Sequence, residues 1–177
     1  SYHERARSGQ DIIVGVNKYV TEEVDDDAVI EDAVKGVVSG IFAATGQTCI
    51  AGSRLIVQDQ VHDELVERLT EKASSIKLGD PLEMETEMGP VAFEEQLEKV
   101  MGYIRSGQEG GARVAYGGEA PADPELQDGY FVEPTILTGV TNEMEVARDL
   151  VPGQPLAHVA DRGEQRHVQS SRLFAMR

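Results

Sequence analysis

Apolar residues recur along the chain with two different periods, and the change of period separates helices from strands. Between residues 29 and 42, apolar side chains return every three or four positions, which predicts a helix buried over a broad face. The same spacing predicts helices over residues 61–76 and 94–107. Runs rich in β-branched and apolar residues predict strands at residues 11–20, 54–58, 113–116 and 130–137. This alternation predicts an α/β fold.

Capping and turn residues give the expected limits of the first elements. Asp27 is the expected N-cap of the first helix, and Gly46 is its expected C-terminal stop. Gly36 and Gly40 lie four residues apart in this helix, which predicts close packing or a close backbone approach. The acidic segment 21–27 predicts a turn between the first strand and the first helix.

The last strand and the end of the chain depart from the regular pattern. Pro134 lacks the N–H group that an inner strand donates, so its strand is expected at a sheet edge or a bulge. Beyond about Leu150 the apolar periodicity fades, and Arg, Gln and Ser accumulate. We therefore expect little regular structure after this point.

The composition is that of an ordinary globular protein. The chain of 177 residues is long enough for one core, with 40% hydrophobic and 27% charged residues. No apolar run approaches the roughly 18 residues that a membrane span requires. The N-terminus lacks the apolar stretch of a secretory signal, although a start at Ser1 suggests a clipped sequence. These features predict a cytoplasmic protein.

The charge is strongly acidic, at a formal −16 from 32 acidic and 16 basic residues. So large a negative charge repels nucleic acid and anionic membranes, and we expect neither as a partner. Few of the basic residues are lysine, which favours an acidic, halophile-like surface whose self-repulsion concentrated salt would screen. An ordinary acidic protein of a low-salt organism is the alternative interpretation.

Cys49 is the single cysteine of the chain, which excludes an internal disulfide and leaves a free thiol. It follows Gly46 in the polar turn Gly-Gln-Thr-Cys and precedes the small residues Ala51, Gly52 and Ser53. Small neighbours leave room for an electrophile, and backbone N–H groups in such a turn can hydrogen-bond an oxyanion. A buried, unreactive thiol is the alternative, and by base rate the more common one.

The histidines do not form a pattern with metal-ligand spacing. We predict solvated surface residues and no metal site from the four scattered histidines, which are His3, His62, His158 and His167.

The sequence around Cys49 resembles that of a known family. GIFAATGQTCIAGSRLIV, from Gly40 to Val57, is similar to the cysteine motif of the aldehyde dehydrogenases, with its flanking helix and strand. The segments VHDELVERL, GDPLEMETEMGPV, EKVMGYIRSGQEGGARVAYGG and GYFVEPTIL follow in the order that the family shows. The resemblance covers about residues 25–148. It implies a partial aldehyde dehydrogenase-like catalytic domain with a mostly parallel sheet and flanking helices.

The resemblance also implies a reaction and its residues. The thiolate of Cys49 would attack an aldehyde, the thiohemiacetal would give hydride to NAD or NADP, and water would release the acid from the thioester. The backbone N–H of Cys49 would help to hold the oxyanion. Gln47 and Thr48 match positions that line the site, and a structural role in the turn is the alternative for both. A small-molecule aldehyde is the expected substrate.

The chain departs from the family pattern on both sides of the cysteine. No Glu-Leu-Gly-Gly stretch, which carries the family's general base, precedes Asp25, and most of the nucleotide-binding fold is missing. Where the family has an acidic-Ile-Phe-Gly-Pro motif that contacts the nicotinamide ribose, this chain has ARDLVPGQP, with Asp149 or Leu150 at the acidic position. We therefore expect a truncated or hybrid product without cofactor-dependent activity.

The N-terminal segment suggests a further division of the chain. Residues 8–23, SGQDIIVGVNKYVTEE, resemble a stretch of methylmalonyl-CoA mutase large subunits, and an ordinary strand and turn is the alternative. We predict a foreign or hybrid segment over residues 1–24, a truncated aldehyde dehydrogenase-like catalytic domain over 25–150, and an irregular tail over 151–177.

Two other functions are compatible with these residues. One is a non-catalytic remnant or assembly module, which would form homo-oligomers or hetero-oligomers with intact subunits. The other is cysteine-dependent, esterase-like acylation alone, because acylation requires only a nucleophile and an oxyanion donor.

Overall fold

A single sheet of five short strands forms the centre of the molecule. The computed structural model describes residues 21–24, 29–48, 51–148 and 156–161. The strands are β1 Thr21–Val24, β2 Arg54–Val57, β3 Arg113–Tyr116, β4 Thr135–Thr138 and β5 Leu156–Asp161. Their order across the sheet is β1-β2-β5-β4-β3. Only the β3–β4 pair is antiparallel among these strands, so the described sheet is mostly parallel, as predicted.

Helices connect the strands and bury one face each. They are α1 Ile30–Ile41, α2 Asp59–Ser74, α3 Glu94–Glu109 and the short α4 Glu145–Arg148. In α2 the buried residues Leu65, Leu69 and Ala73 are four positions apart, so they lie on one side of the helix. The remaining faces of α2 and α3 carry mostly charged residues, which keeps them in contact with water.

The two faces of the sheet are covered by different helices. Adjacent residues of a strand point to opposite faces, and β4 shows this with Ile136 and Leu137, which are both fully buried. Ile136 packs in a hydrophobic cluster with residues of α1 and α2, which we call the first core. Leu137 packs in a second cluster with residues of α3 and α4, the second core. The predicted α/β fold with flanking helices is therefore confirmed.

The chain passes from the first core to the second in the segment between α2 and α3. Met88 belongs to the first core and Val91 belongs to the second, and both are 2% exposed. We call residues 89–92 the crossing loop. A Cβ atom added at Gly89 would lie 2.9 Å from Cγ of Pro81, so this part of the chain fits closely against its neighbours.

Several element predictions are confirmed. The helices predicted over residues 61–76 and 94–107 match α2 and α3 to within about two residues at each end, and the strand predicted over 113–116 is β3. The Gly40 carbonyl accepts a 3.0 Å hydrogen bond from the Gly52 N–H, a contact that any residue could make, so the close packing predicted at Gly36 and Gly40 stays a prediction.

The start of the chain contains two corrections. The segment predicted as an acidic turn includes β1, which pairs in parallel with β2, whereas the strand predicted at residues 11–20 lies outside the described residues. The first helix has Val29 as N-cap, without a side-chain cap hydrogen bond, so the prediction of Asp27 is wrong; Asp27 itself lies outside the described residues. Glu31 and Asp32 in the first turn instead place negative charge at the positive end of the helix dipole.

The other corrections concern the last two strands. Pro134 does not mark an edge, since β4 begins at Thr135 and lies between β5 and β3; a proline directly before a strand removes no ladder hydrogen bond. A register shift does occur where β4 pairs with β3, between Val114 and Tyr116. The irregular tail predicted over residues 151–177 is wrong for β5, which lies between β2 and β4 in the sheet. No helix in the described part of the chain is long and apolar enough to cross a membrane.

Candidate active site around the cysteine turn

The predicted nucleophile, Cys49, lies outside the described residues, as does Ile50. The structure describes the chain on both sides of it, from Gln47 and Thr48 to Ala51 and Gly52. We call residues 47–52 the cysteine turn. The carbonyl of Thr48 accepts a 3.2 Å hydrogen bond from the Ala51 N–H, so the two described ends of the turn are bonded to each other.

The chain enters the cysteine turn through an unusual backbone conformation. Helix α1 ends at Ile41, and a short 3-10 segment follows over Ala43–Gly46. Within it, Ala44 has φ 49° and ψ 37°, and Thr45 has φ 57° and ψ 31°, both in the left-handed region. This region costs a residue with a side chain roughly 1–2 kcal/mol, so two such residues in succession need support from their surroundings. Gly46 follows with φ 67°, which a glycine adopts without that cost.

The crossing loop provides this support. Thr45 is 5% exposed, and its hydroxyl donates a 3.2 Å hydrogen bond to the carbonyl of Gly89. The side chain of Gln47 reaches the same loop, where Nε2 donates to the Pro90 carbonyl at 3.5 Å and Oε1 accepts from the Ala92 N–H at 2.8 Å. The entry to the cysteine turn is therefore held by side-chain bonds to backbone groups more than forty residues away.

The exit from the turn is held as well. The Gly52 N–H donates to the carbonyl of Gly40 near the end of α1, which closes the segment between them into a loop. Gly52 is buried, and Ala51 and Ser53 are half-buried. Arg54 begins β2, and its guanidinium donates through both Nε, at 2.9 Å, and Nη2 to the carbonyl of Ala147 in α4. The cysteine turn thus has contacts on both sides: Thr45 and Gln47 bond to the crossing loop, and Gly52 and Arg54 bond to α1 and α4.

The predicted site residues have different surroundings in the structure. Gln47 makes the turn contacts that we considered as the alternative to a lining role, and Thr48 is exposed. Asp149 and Leu150, which stand at the family's ribose-binding position, lie outside the described residues. Among the residues that the structure describes, no group of three or more His, Cys, Asp or Glu side chains could hold a metal ion. The roles of Cys49, Gln47 and Thr48 in chemistry stay predictions.

The glycine turn after β3 does not fit a phosphate group. The Gly117–Gly118 pair after β3 is the arrangement that most resembles a phosphate-binding turn, with φ values of +69° and +94°. A Cβ atom added at Gly117 would lie 2.3 Å from the carbonyl oxygen of Pro134, and the Gly118 N–H already donates to Thr135 Oγ1 at 3.0 Å. The protein itself occupies this turn, so it offers no cradle for a phosphate.

A pair of carboxylates lies near the end of β3. Burial, and secondly the Glu119 carboxylate, raises the pKa of Glu133 above its usual range. Burial, and secondly Glu133, raises the pKa of Tyr116. The backbones of the two glutamates are also bonded, because the Glu133 N–H donates to the carbonyl of Glu119 at 3.0 Å. This pair lies away from the contacts of the cysteine turn, and we assign it no part in the chemistry.

Sequence reasoning missed the crossing loop and Arg54 as supports of the cysteine turn. Gly89, Pro90, Ala92 and Ala147 contribute backbone N–H or carbonyl groups, which any residue could supply. Their side-chain identities therefore carry no signal of the contact. Arg54 directly follows the small residues of the turn, and its position beside the motif was the one available indication.

Comparison with known proteins identifies relatives over most of the chain. The sequence model of the aldehyde dehydrogenase family matches residues 15–159. The betaine aldehyde dehydrogenase of Mesorhizobium japonicum is 45% identical over 141 residues, which are 80% of this chain and 29% of that protein. The alpha-ketoglutaric semialdehyde dehydrogenase of Bacillus subtilis is 39% identical over 134 residues, 76% of this chain and 28% of that protein. The chain thus spans less than a third of the length of these curated relatives.

A solved structure extends the similarity to the fold. The betaine aldehyde dehydrogenase of Staphylococcus aureus in complex with NAD+ superposes with a TM-score of 0.78 at 34% identity, covering 85% of this chain and 29% of that one. The family match includes residues 15–24, which fall in the segment that we predicted to be foreign. The resemblance of that segment to methylmalonyl-CoA mutase is not shown, and the three-part division of the chain stays a prediction.

Proposed function

The chain belongs to the aldehyde dehydrogenase family, and from this premise we propose that Cys49 is the nucleophile in an NAD(P)-dependent oxidation of an aldehyde to a carboxylic acid. The observation that carries the proposal is the support of the cysteine turn from two sides. Gln47 and Thr45 bond its entry to the crossing loop, and the Gly52 N–H bonds its exit to α1. A turn whose only task was to join α1 to β2 would not need two left-handed residues held by distant groups.

The first chemical step uses groups of this chain alone. The thiolate sulfur of Cys49 donates an electron pair to the carbonyl carbon of the aldehyde, and the π electrons of that bond move to oxygen. Backbone N–H groups of the turn would stabilise the resulting oxyanion. Ala51, Gly52 and Ser53, at the exit of the turn, are small, so their own side chains leave room beside it.

The oxidation also requires a hydride acceptor. NAD+ is bound in the Staphylococcus aureus relative, and in the family reaction the dinucleotide takes the hydride from the cysteine adduct. Since the glycine turn after β3 is filled by Pro134 and Thr135, we assign no described residue to the dinucleotide and derive no step through it. The Glu-Leu-Gly-Gly stretch that holds the family's general base is absent from the 177 residues.

The chain itself is therefore expected to acylate but not to oxidise. With p-nitrophenyl acetate, the thiolate would form a thioester and expel p-nitrophenolate, so we expect a burst of about one equivalent per chain, followed by slow turnover. Cys49→Ala removes the nucleophile and abolishes the burst. With betaine aldehyde and NAD+, we expect no rise in absorbance at 340 nm.

The two assays separate the possible failures. A wild-type chain without a burst, whose thiol also reacts with iodoacetamide no faster than a free cysteine, would contradict the nucleophile assignment. Formation of NADH that disappears in Cys49→Ala would instead contradict the expectation that this chain lacks oxidation activity. Loss of the burst in Cys49→Ala, with the circular dichroism spectrum unchanged, supports the proposal.

Betaine aldehyde is the first substrate to test. Several of the relatives are betaine aldehyde dehydrogenases, and one acts on alpha-ketoglutaric semialdehyde, according to their names. Betaine aldehyde carries a positive charge, whereas the semialdehyde is anionic at neutral pH. A protein with a formal charge of −16 attracts the cation and repels the anion, so we favour the cationic aldehyde. Competition of each aldehyde with alkylation of Cys49 compares the two directly.

An assembly role is the second candidate. It rests on β3, which lies at the end of the described sheet and pairs with β4 on one side. A free strand edge is a common place for another chain to add. Mixing the chain with an intact family member should yield a hetero-oligomer on size-exclusion chromatography, and elution of both proteins at their separate positions would contradict this role.

A further inference from the structure

The side chain of Gln47 uses both ends of its amide on the crossing loop. Nε2 donates to the Pro90 carbonyl, and Oε1 accepts from the Ala92 N–H at 2.8 Å. We propose that Gln47 is a positioning residue, which fixes the cysteine turn against the crossing loop and thereby keeps the thiol of Cys49 in its reactive setting. This inference rests on the proposed function of Cys49. It replaces the lining role that the sequence suggested for Gln47.

The crossing loop is a fixed support for such a contact. It begins next to Met88 in the first core and contains Val91 of the second core, so burial holds the residue before the loop and the third of its four residues. The Val91 N–H also donates to the carbonyl of Tyr130 at 2.9 Å. A residue bonded to this loop is therefore connected through it to the cores on both faces of the sheet.

The cysteine turn requires an outside support because its entry is strained. Ala44 and Thr45 have positive φ angles, and without restraint such residues relax toward ordinary helical or extended conformations. Thr45 holds the strained pair through Gly89, and Gln47 holds the next part of the chain, two residues before the cysteine. Loss of the Gln47 side-chain contacts would leave local backbone hydrogen bonds, from Gln47 N–H to Ala44 and from Ala51 N–H to Thr48, to hold the chain between Thr45 and the Gly52 anchor.

The contacts of Gln47 assign it to positioning and not to catalysis. Both bonds end on backbone groups, and neither partner is a titratable or nucleophilic side chain. The expected consequence of their loss is a change in the environment of the thiol. Backbone N–H groups that stabilise a thiolate do so only when the turn holds them in place.

The test is the pH dependence of the alkylation of Cys49 by iodoacetamide in the 177-residue chain. Because Cys49 is the only cysteine, the loss of free thiol reports on this residue alone. Gln47→Met keeps the length of the side chain and removes both hydrogen bonds. Ala92→Pro removes the N–H donor from the loop and leaves the cysteine turn unchanged, so it tests the same contact from the other side.

Gln108→Met is the matched control. It makes the same substitution at an exposed position of α3, where glutamine and methionine have similar helix propensities. Thermal unfolding of all variants is measured in parallel, so that a change in stability is not mistaken for a change at the thiol.

In the wild type, we expect the midpoint of the pH–rate profile to lie below that of a free cysteine, which is about 8.5. Gln47→Met and Ala92→Pro should raise the midpoint by about one pH unit. The rate at pH 7 should then fall roughly threefold, because the smaller thiolate fraction outweighs the greater nucleophilicity of the more basic thiolate. Gln108→Met should match the wild type.

The outcomes distinguish this inference from the proposed function. A wild-type midpoint near 8.5 would overturn the activated nucleophile, and the role of Gln47 with it. A low wild-type midpoint that stays unchanged in folded Gln47→Met would overturn only the positioning role. If Gln47→Met does not fold, Ala92→Pro provides the test. An unchanged midpoint in folded Ala92→Pro would also overturn the positioning role.

Discussion

Gly117 is a position where one added methyl group should be strongly damaging. Its φ is +69°, and a Cβ atom there would lie 2.3 Å from the Pro134 carbonyl oxygen and 3.0 Å from Thr135 Oγ1. The first of these neighbours is backbone, directly before β4, so it cannot turn away as a flexible side chain would. Gly117→Ala therefore combines a strained backbone with a steric overlap.

The two contributions can be measured separately, because the chain provides matched glycines. Gly139 has nearly the same φ, +67°, with nothing within 4 Å of the added Cβ, so Gly139→Ala costs only the left-handed conformation, about 1–2 kcal/mol. Gly117→Ala should cost about 1–3 kcal/mol more, the usual range for an overpacked site. Gly102 lies in α3 with open space around it, and Gly102→Ala should stabilise the chain by up to about 1 kcal/mol.

The assay is equilibrium unfolding in urea, followed by circular dichroism. Urea is preferred to guanidinium chloride because it leaves the ionic strength constant around a chain of formal charge −16. The expected order of stability is Gly102→Ala, wild type, Gly139→Ala and Gly117→Ala. Equal losses in Gly117→Ala and Gly139→Ala would refute the argument that Pro134 fills the turn, and would reopen that turn as a ligand site.

Two further predictions test the core and the carboxylate pair. Leu69 is fully buried in the first core, so Leu69→Ala should cost about 2–5 kcal/mol in the same assay, whereas the same substitution at Leu82, which is 88% exposed, should change stability by less than about 0.5 kcal/mol. Comparable losses at both positions would contradict the assigned core. Burial and Glu119 raise the pKa of Glu133, so this group's contribution to stability is complete below its unfolded pKa and is lost as the pH rises through the folded value. Glu133→Gln should therefore gain stability relative to the wild type between pH 4 and pH 7, and a difference independent of pH would contradict the assignment.

The helices were predictable because their signal is local and repeated. The burial of Leu65, Leu69 and Ala73 in α2 follows directly from their spacing of four residues, and α3 behaves in the same way. Each helix spans several turns, so one atypical residue does not hide the period. The prediction of Asp27 as a cap failed because it depended on a single residue near a boundary, where local signals are weakest.

Strands β1 and β5 were missed for a different reason. Each is short, and each is held in the sheet by parallel pairing with distant segments, Val24 with Val57 and Leu137 with His158 among the paired positions. Strands that pair in parallel are far apart in the sequence, so the residues of neither segment indicate which strand it will pair with. The acidic residues of β1 also resemble those of a turn, and a four-residue strand has too few positions for alternation to be recognised.

The candidate site likewise has features that the local sequence predicts and features that depend on distant contacts. The motif around Cys49 identified the family, because a run of eighteen residues carries enough identity to be recognised. The role of Gln47 was left open between lining the site and shaping the turn, and only its contacts with Pro90 and Ala92 favour the second. A glutamine that bonds to backbone groups more than forty positions away has no sequence signature.

The contacts of the cysteine turn reach both cores of the molecule. α1 and β2, which flank the turn, pack in the first core, while the crossing loop and α4 lead into the second. Thr45 and Gln47 join the turn to the crossing loop, and Arg54 joins the start of β2 to Ala147. The contacts on both sides of the cysteine turn therefore involve both faces of the sheet. A peptide that carried only α1, the turn and β2 would keep the motif and lose the contacts that hold it.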